Sequence, residues 1–303
     1  MMTTNQLAYS FRLRTTFRPG RLTRHVQRVL FCLLFGLLAL RPASAEETRA
    51  LILGVFPSMT AKQIVETYRP LANALEKSLQ RRVEIYSAPN FKDFVERTRE
   101  GEYDLLLTAP HLAWLARQDA GYRPLLKFTE PVRGLLVVKS SSSYRDVELL
   151  RGRTIAYADP LALIVLALQA QLAEENLKPG VDFRSIAAGT HINAVLQVLK
   201  GRADAAMVGQ QSFMQFPPQL RAQLHVLMET PPISSLTYLA HPRISDAEAQ
   251  IIKTTLLQFA ATQNGRAFLK KGQFGGFSPL DKNELNAFRQ YALQAQKMLQ
   301  DPE

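Results

Sequence analysis

The feature that most constrains this chain is a repeated order of elements. "FVERTREGEYDLLLTAP" (residues 94–110) and "AVLQVLKGRADAAMVG" (residues 194–209) both run from helix-spaced apolar residues to a glycine. In each, two residues, an aspartate and an apolar run follow, so that Gly101/Asp104 and Gly201/Asp204 lie one hundred positions apart. The glycines read as helix stops and the apolar runs as buried strands. The two aspartates are expected to satisfy backbone groups of the turn.

Each copy is the end of a longer alternation. In the first, "ALILGVF" predicts a strand, and Ile64, Tyr68, Leu71, Leu75 and Leu79 mark one face of a helix over about 60–80. "RVEIYSA" is a second strand and "FKDFVERTRE" a short helix. In the second, "RTIAYADP" is a strand and a helix spans about Leu161 to Glu175. "DFRSIAA" is the next strand, and Ile192, Val195, Leu196 and Leu199 mark another helix. Strand–helix alternation predicts an α/β fold of two lobes, each a mostly parallel sheet covered by helices. Helices over about 245–263 and 281–299, separated by the polar turn "KKGQFGGFSPLD", are expected to return to the first lobe. The crossings fall near Pro131–Gly134 and Pro231–Ser235. They divide the chain into residues 46–132 with 235–303, and residues 133–234.

The net charge of +11 points at first to nucleic acid or a membrane surface. Its distribution argues otherwise: seven Arg lie in residues 1–45, which hold no Asp or Glu. The rest carries 30 basic against 26 acidic residues, so a nucleic-acid partner is not expected. That Arg-rich stretch precedes the apolar run Val29–Leu40, and Ala43 and Ala45 stand before Glu46 in the pattern of a cleaved secretory signal. Twelve apolar residues are short of the roughly 20 that span a bilayer. Retention as an anchor stays as the alternative to cleavage after Ala45 and a periplasmic location. Cys32, the only cysteine, lies within the leader, which leaves no disulfide, thiol nucleophile or thiolate metal site.

In open α/β sheets ligands bind outside the carboxyl ends of the strands. The loops there are Pro57-Ser58-Met59, Thr108-Ala109-Pro110-His111, Asp159-Pro160-Leu161, Gly189-Thr190-His191 and Gly209-Gln210-Gln211. Several open helices, whose first N–H groups attract anions. Thr190 reads either as a plain N-cap or as a ligand contact, and His191 either as packing or as a contact. His111, His191, His225 and His241 lack metal-ligand spacing, so neither metal nor cofactor is expected. An enzyme on this scaffold would have only His111 with His191 as an acid–base pair.

Together "GVFPSMT", "YRPLANALEKSL", "FVERTREGEYDLLLTAPHLAWLA", "LRGRTIAYADP", "IAAGTHINAVLQVLKGRADAAMVG" and "GRAFLKKGQFGGFSPL" resemble, in order and spacing, periplasmic substrate-binding proteins of phosphate/phosphite/phosphonate ABC transporters. The resemblance implies a type II two-lobed clamp, monomeric and without catalysis. It would close like a hinge on a small oxyanion and deliver it to a permease, or alternatively report to a membrane sensor kinase. It implies that Thr190 and His191 form the family's Ser/Thr-His corner, that Pro110-His111 matches a first-lobe ligand loop, and that Asp159-Pro160 enters the anion loop. Where the family carries a Ser/Thr-rich run, this chain has Leu161-Ala162-Leu163-Ile164. Gln210 and Gln211 stand where binders of amine-bearing phosphonates carry an acid. This departure favours an anion with an apolar body or a differently charged one.

Overall fold

The structure is a computed structural model describing residues 49–281 and 283–300; the expected leader, with its cleavage site after Ala45, lies outside the described residues. The first repeat folds as β1 (Leu51–Val55), α1 (Ala61–Leu79), β2 (Val83–Tyr86), α2 (Phe91–Arg99) and β3 (Leu105–Thr108). The second folds as β6 (Thr154–Tyr157), α4 (Leu163–Glu174), β7 (Arg184–Ala187), α5 (His191–Leu199) and β8 (Ala205–Gly209). In both, the opening strand lies in the middle with the other two parallel on either side. α1 starts where Thr60 and Gln63 form a reciprocal capping box, and it buries Ile64, Tyr68, Leu71 and Leu75 along one stripe.

The sheets are mixed, with less parallel pairing than the alternation alone predicts. After β3 come α3 (Pro110–Ala120) and β4 (Arg123–Phe128), and the chain then crosses over. β5 (Gly134–Lys139) inserts antiparallel between β8 and β9 (Leu224–Glu229), and two short helices, α6 (Gln210–Met214) and α7 (Pro218–Arg221), lead from β8 to β9. The chain returns as β10 (Thr237–Ala240), antiparallel between β3 and β4, with β11 (Phe277–Pro279) at the edge. The orders are β11-β4-β10-β3-β1-β2 and β7-β6-β8-β5-β9. A chain that swaps sheets twice brings its new strand in from the opposite end, which makes those pairings antiparallel. At the crossings Val132 and Ile233 exchange both backbone hydrogen bonds, each 2.9 Å.

The repeated aspartates act on strands, which corrects the turn reading. Gly101 and Gly201 end their helices at φ 72° and 71°, where a side chain would be strained. Asp104 then donates its N–H to the Ile52 carbonyl and accepts the Ile52 N–H on Oδ2 at 2.7 Å. Asp204 does the same to Thr154, with Oδ2 at 3.0 Å. Each carboxylate thus extends a parallel ladder by one residue. Asp104, fully buried, also pairs with Arg243 and with Arg49 at 3.2 Å.

The late segment also departs from expectation. The predicted helix near 245–263 stops early, as α8 (Asp246–Ala261), and α9 (Gln263–Gly272) follows at once. Thr262 ends the one and caps the other through the Gly265 N–H at 2.9 Å. A Cβ on Gly265 would meet the Phe259 carbonyl at 1.7 Å, so only glycine permits this corner. The expected polar turn is therefore shortened to residues 273–276, between the end of α9 at Gly272 and β11. Its Phe274 stacks on Phe128 at 4.2 Å. The last predicted helix begins later, as a short 3-10 segment and then α10 (Arg289–Gln300), packed against α3.

One hydrophobic cluster runs through both sheet units. Phe91 and Leu112 belong to it from the first, and Leu161, Ile164 and Val165 from the second. The seam between the units is therefore apolar.

Candidate functional site

Between the two sheet units lies a cavity of about 110 Å³. The first unit contributes Phe56, Ser58 and Met59 after β1, Phe91 at the start of α2, and Ala109-Pro110 at the start of α3. The second contributes Ala162, Leu163 and Ile164 at the start of α4, His191 at the start of α5, and Gly209 with Gln211 after β8. Val132, Ser234 and Ser235 close it at the crossings, and Phe274 closes it from the late segment. Among the described residues, no Asp, Glu, Lys or Arg lines it. A second, wider chamber of about 200 Å³ adjoins it, bounded by Thr60, Gln63 and Thr190. Ser58, Met59, His191, Ser212 and Gln215 border both chambers.

Four helices of eight or more residues open at this cavity; α2 is capped by Asn90, whose Oδ1 accepts the Asp93 N–H at 2.8 Å. α3 is entered from Ala109 and α4 from Ala162, and neither cap residue supplies a side-chain hydrogen bond. At α4, Val165 and Leu166 both donate to the Ala162 carbonyl, which leaves the earlier amides of the turn for other acceptors. α5 is capped by Thr190, whose Oγ1 accepts the Asn193 N–H at 3.2 Å.

Among the polar side chains of this arrangement, His191 is the histidine without an internal role. It is 8% exposed, and its Nδ1 is buried with no hydrogen-bond partner. Burial pulls its pKa down to about 4, so at neutral pH the ring is uncharged and offers one N–H and one lone pair. A buried polar group left unpaired costs about 1–3 kcal/mol. Such a group, lining a cavity, marks a site that a ligand completes.

The cavity lies beyond the carboxyl ends of β1, β3 and β8, between sheets of a two-unit α/β clamp. A family profile for the phosphonate periplasmic substrate-binding protein of ABC transporters matches residues 53–285. The chain belongs to this phosphonate-binding family. Its fold is shared by a binding protein of an ABC phosphonate transporter from Pseudomonas aeruginosa, with TM-score 0.74 at 17% identity, covering 82% of this chain and 87% of that one. PhnD1 from Prochlorococcus marinus, solved with methylphosphonate, gives TM-score 0.74 at 14% identity, covering 82% and 98%. XAC2383 from Xanthomonas citri, solved with chloride, gives 0.69 at 20% identity, covering 82% and 99%. The family consists of periplasmic substrate-binding proteins that serve ABC transporters; it is not a family of enzymes.

Of the positions expected from sequence, Ser58, Met59, Pro110 and His191 line the inner cavity of this family member. Thr190 borders only the outer chamber. Pro57 is buried behind Ser58, and Thr108 ends β3 with its hydroxyl unpaired and fully buried. His111 and Leu161 do not line the cavity: they are bonded to each other, Nε2 to carbonyl, at 2.8 Å. Asp159 accepts the Leu161 N–H at 2.8 Å beside Pro160 and so shapes the turn into α4. Gln210 lies outside, in an open groove with Arg266 and Lys270, while its neighbour Gln211 faces the cavity. Because His111 is committed to Leu161, the two histidines do not face the cavity as a pair. Sequence reasoning missed the aromatic walls, Phe56, Phe91 and Phe274. The strand-end rule finds loops, whereas these rings arrive one residue before a loop, at a helix start, and from a segment remote in sequence.

Proposed function

We propose that this protein captures a small oxyacid anion of the phosphonate class in the interlobe cavity, closes on it, and presents it to its permease. The observation that carries this reading is His191, buried, unpartnered and lining a cavity where helices begin. Helix N-termini carry partial positive charge and unpaired N–H groups, which hold an anion without a counter-ion. A neutral imidazole N–H adds a charge-assisted hydrogen bond. The methylphosphonate held by the Prochlorococcus relative supports the ligand class. Delivery to a permease, rather than a signal to a sensor kinase, is the role the family supports.

In this reading residues 1–45 are a cleaved leader, residues 46–132 with 235–303 form one lobe, and residues 133–234 form the other. The lobes turn about the Val132–Ile233 pair, and the carrier works as a monomer in the periplasm. Ser58, Met59, Pro110 and His191 contact the ligand, with Gln211 and Ser212 beside them. Titration of a panel of small phosphonates and related oxyacids, followed by calorimetry and small-angle scattering, tests it. At least one acid should bind and reduce the radius of gyration. A panel in which none binds, or in which a bound acid leaves the scattering unchanged, contradicts the proposal.

A further inference from the structure

The walls of the cavity say more about the ligand than its acid group. Phe56 and Phe91 meet edge to face, with centroids 5.7 Å apart, and Phe274 faces the same space. Leu163 and Ile164 present hydrocarbon at the start of α4, and its cap, Ala162, brings no hydroxyl. An acid seated there can be held by backbone amides, by His191 and by the serines of the lining, Ser58, Ser212, Ser234 and Ser235, while most of the remaining wall is carbon.

Size points the same way. A water molecule needs roughly 10–15 Å³ of such volume. The cavity of about 110 Å³ therefore takes several more units than the five heavy atoms of phosphate or methylphosphonate. The surplus space is mostly apolar. Nor does it offer a counter-charge: with no Asp or Glu among the described residues of the lining, an ammonium group would be buried without a carboxylate.

Resting on the oxyacid reading above, we infer that the ligand is an acid with an apolar body, about the size of a butyl or phenyl group, and without an amine. Buried methylenes are worth about fourfold each in affinity. Aromatic walls favour a ring or chain that fills them over a bare oxyanion with trapped water.

The test is calorimetry on the purified protein with methylphosphonate, butylphosphonate, phenylphosphonate, 3-aminopropylphosphonate and the neutral pentanamide. Butyl- or phenylphosphonate should bind ten- to a hundredfold tighter than methylphosphonate. The aminopropyl compound, isosteric with butyl, should bind at least a hundredfold weaker than butyl. Ile164→Ser should lower the butyl-to-methyl ratio severalfold while sparing methylphosphonate. Methylphosphonate binding as tightly as butyl, or aminopropyl matching butyl, would overturn the inference and leave the oxyacid reading intact. Pentanamide binding while every acid fails would overturn the oxyacid reading and support the apolar body. An unaltered ratio in Ile164→Ser, or no binding by any of the five, would overturn the inference.

Discussion

His111 Nε2 lies 2.8 Å from the carbonyl oxygen of Leu161, joining the first turn of α3 in one sheet unit to the turn before α4 in the other. The carbonyl can only accept, so Nε2 carries the proton and Nδ1 keeps its lone pair, buried and without a partner. The ring is fully buried, and burial pulls its pKa down to about 4 against a smaller upward pull from the Leu161 bond. This is a polar clasp inside an apolar seam, and it exists only while the two units are together.

Removing the clasp should therefore act on closure. His111→Leu keeps most of the volume but leaves the Leu161 carbonyl unpaired when the units meet. A buried hydrogen bond contributes about 1 kcal/mol net and costs more when one partner is orphaned. Affinity for the preferred phosphonate should fall about tenfold. His111→Gln, which offers an N–H at similar reach, should recover most of it by calorimetry. Equal affinity in all three proteins would mean that the bond plays no part in closure.

Acid should loosen the whole molecule before carboxylates titrate. Unfolded histidine titrates near 6.5, whereas burial holds both His111 and His191 at about 4. Between those values the unfolded chain binds protons that the native chain excludes, so stability is full above about pH 7 and falls as the pH drops from 6.5 towards 4. Each ring accounts for on the order of 3 kcal/mol at the acid end. His241 is shifted in the same direction. Glu284, held low chiefly by the Lys127 side chain, adds its loss only below the usual carboxylate range. Urea midpoints at pH 7, 6 and 5 should decline steadily. In the double variant His111→Gln/His191→Gln the decline should be much shallower. A wild-type midpoint constant from pH 7 to 5 would contradict the assignment.

The paired aspartates should differ in weight despite their matching places in the repeat. Asp104→Ala strips the Ile52 N–H of its acceptor and leaves Arg243, Arg49 and Arg81 without their buried carboxylate. Losing one partner of a buried pair costs about 3–5 kcal/mol, discounted here because Arg243 and Arg49 reach solvent and Arg81 keeps Glu248. About 3 kcal/mol is expected. Asp204→Ala loses the Thr154 N–H and the Tyr144 hydroxyl at 2.6 Å, with no ion pair, and should cost about 1–2 kcal/mol. Denaturant unfolding of the two variants gives the order directly.

The repeat was legible because strands, helix stops and helix faces are encoded locally. Gly101 and Gly201, the stripe of Ile64, Tyr68, Leu71 and Leu75, and the Thr190 cap each leave a signature within one turn of chain. What Asp104 does was not legible, since Ile52 lies fifty-two residues away. α9 was masked by Gly265, normally a helix breaker, which is required here because the Phe259 carbonyl occupies the place of its side chain. At the site, His191 stood out by chemistry alone. Phe274 and the His111–Leu161 clasp depend on how the units meet, and no local pattern records that.

The corner where α5 begins gives the sharpest test, because its two residues have separable roles. Thr190 spends its hydroxyl on the Asn193 N–H, so Thr190→Ala should cost about 1 kcal/mol of stability, with little change in affinity. His191 stands in the opposite position. Its ring is buried beside a cavity, its Nδ1 has no partner, and its neutral form is maintained at a cost. Replacing a buried unpaired polar group with hydrocarbon of similar size removes that cost, so His191→Leu should raise the melting temperature of the ligand-free protein, by the equivalent of about 1–2 kcal/mol. A hydrogen bond to a charged ligand is worth about 1.5–3 kcal/mol, so the same substitution should weaken binding roughly ten- to a hundredfold. Greater stability with poorer binding is the signature of a residue retained for its ligand. His225, exposed on β9, is the control, and His225→Ala should alter neither quantity. If His191→Leu instead melts several degrees lower and binds normally, His191 is a packing residue, and the donor for the acid must be sought among Ser58, Ser212 and the amides of α4.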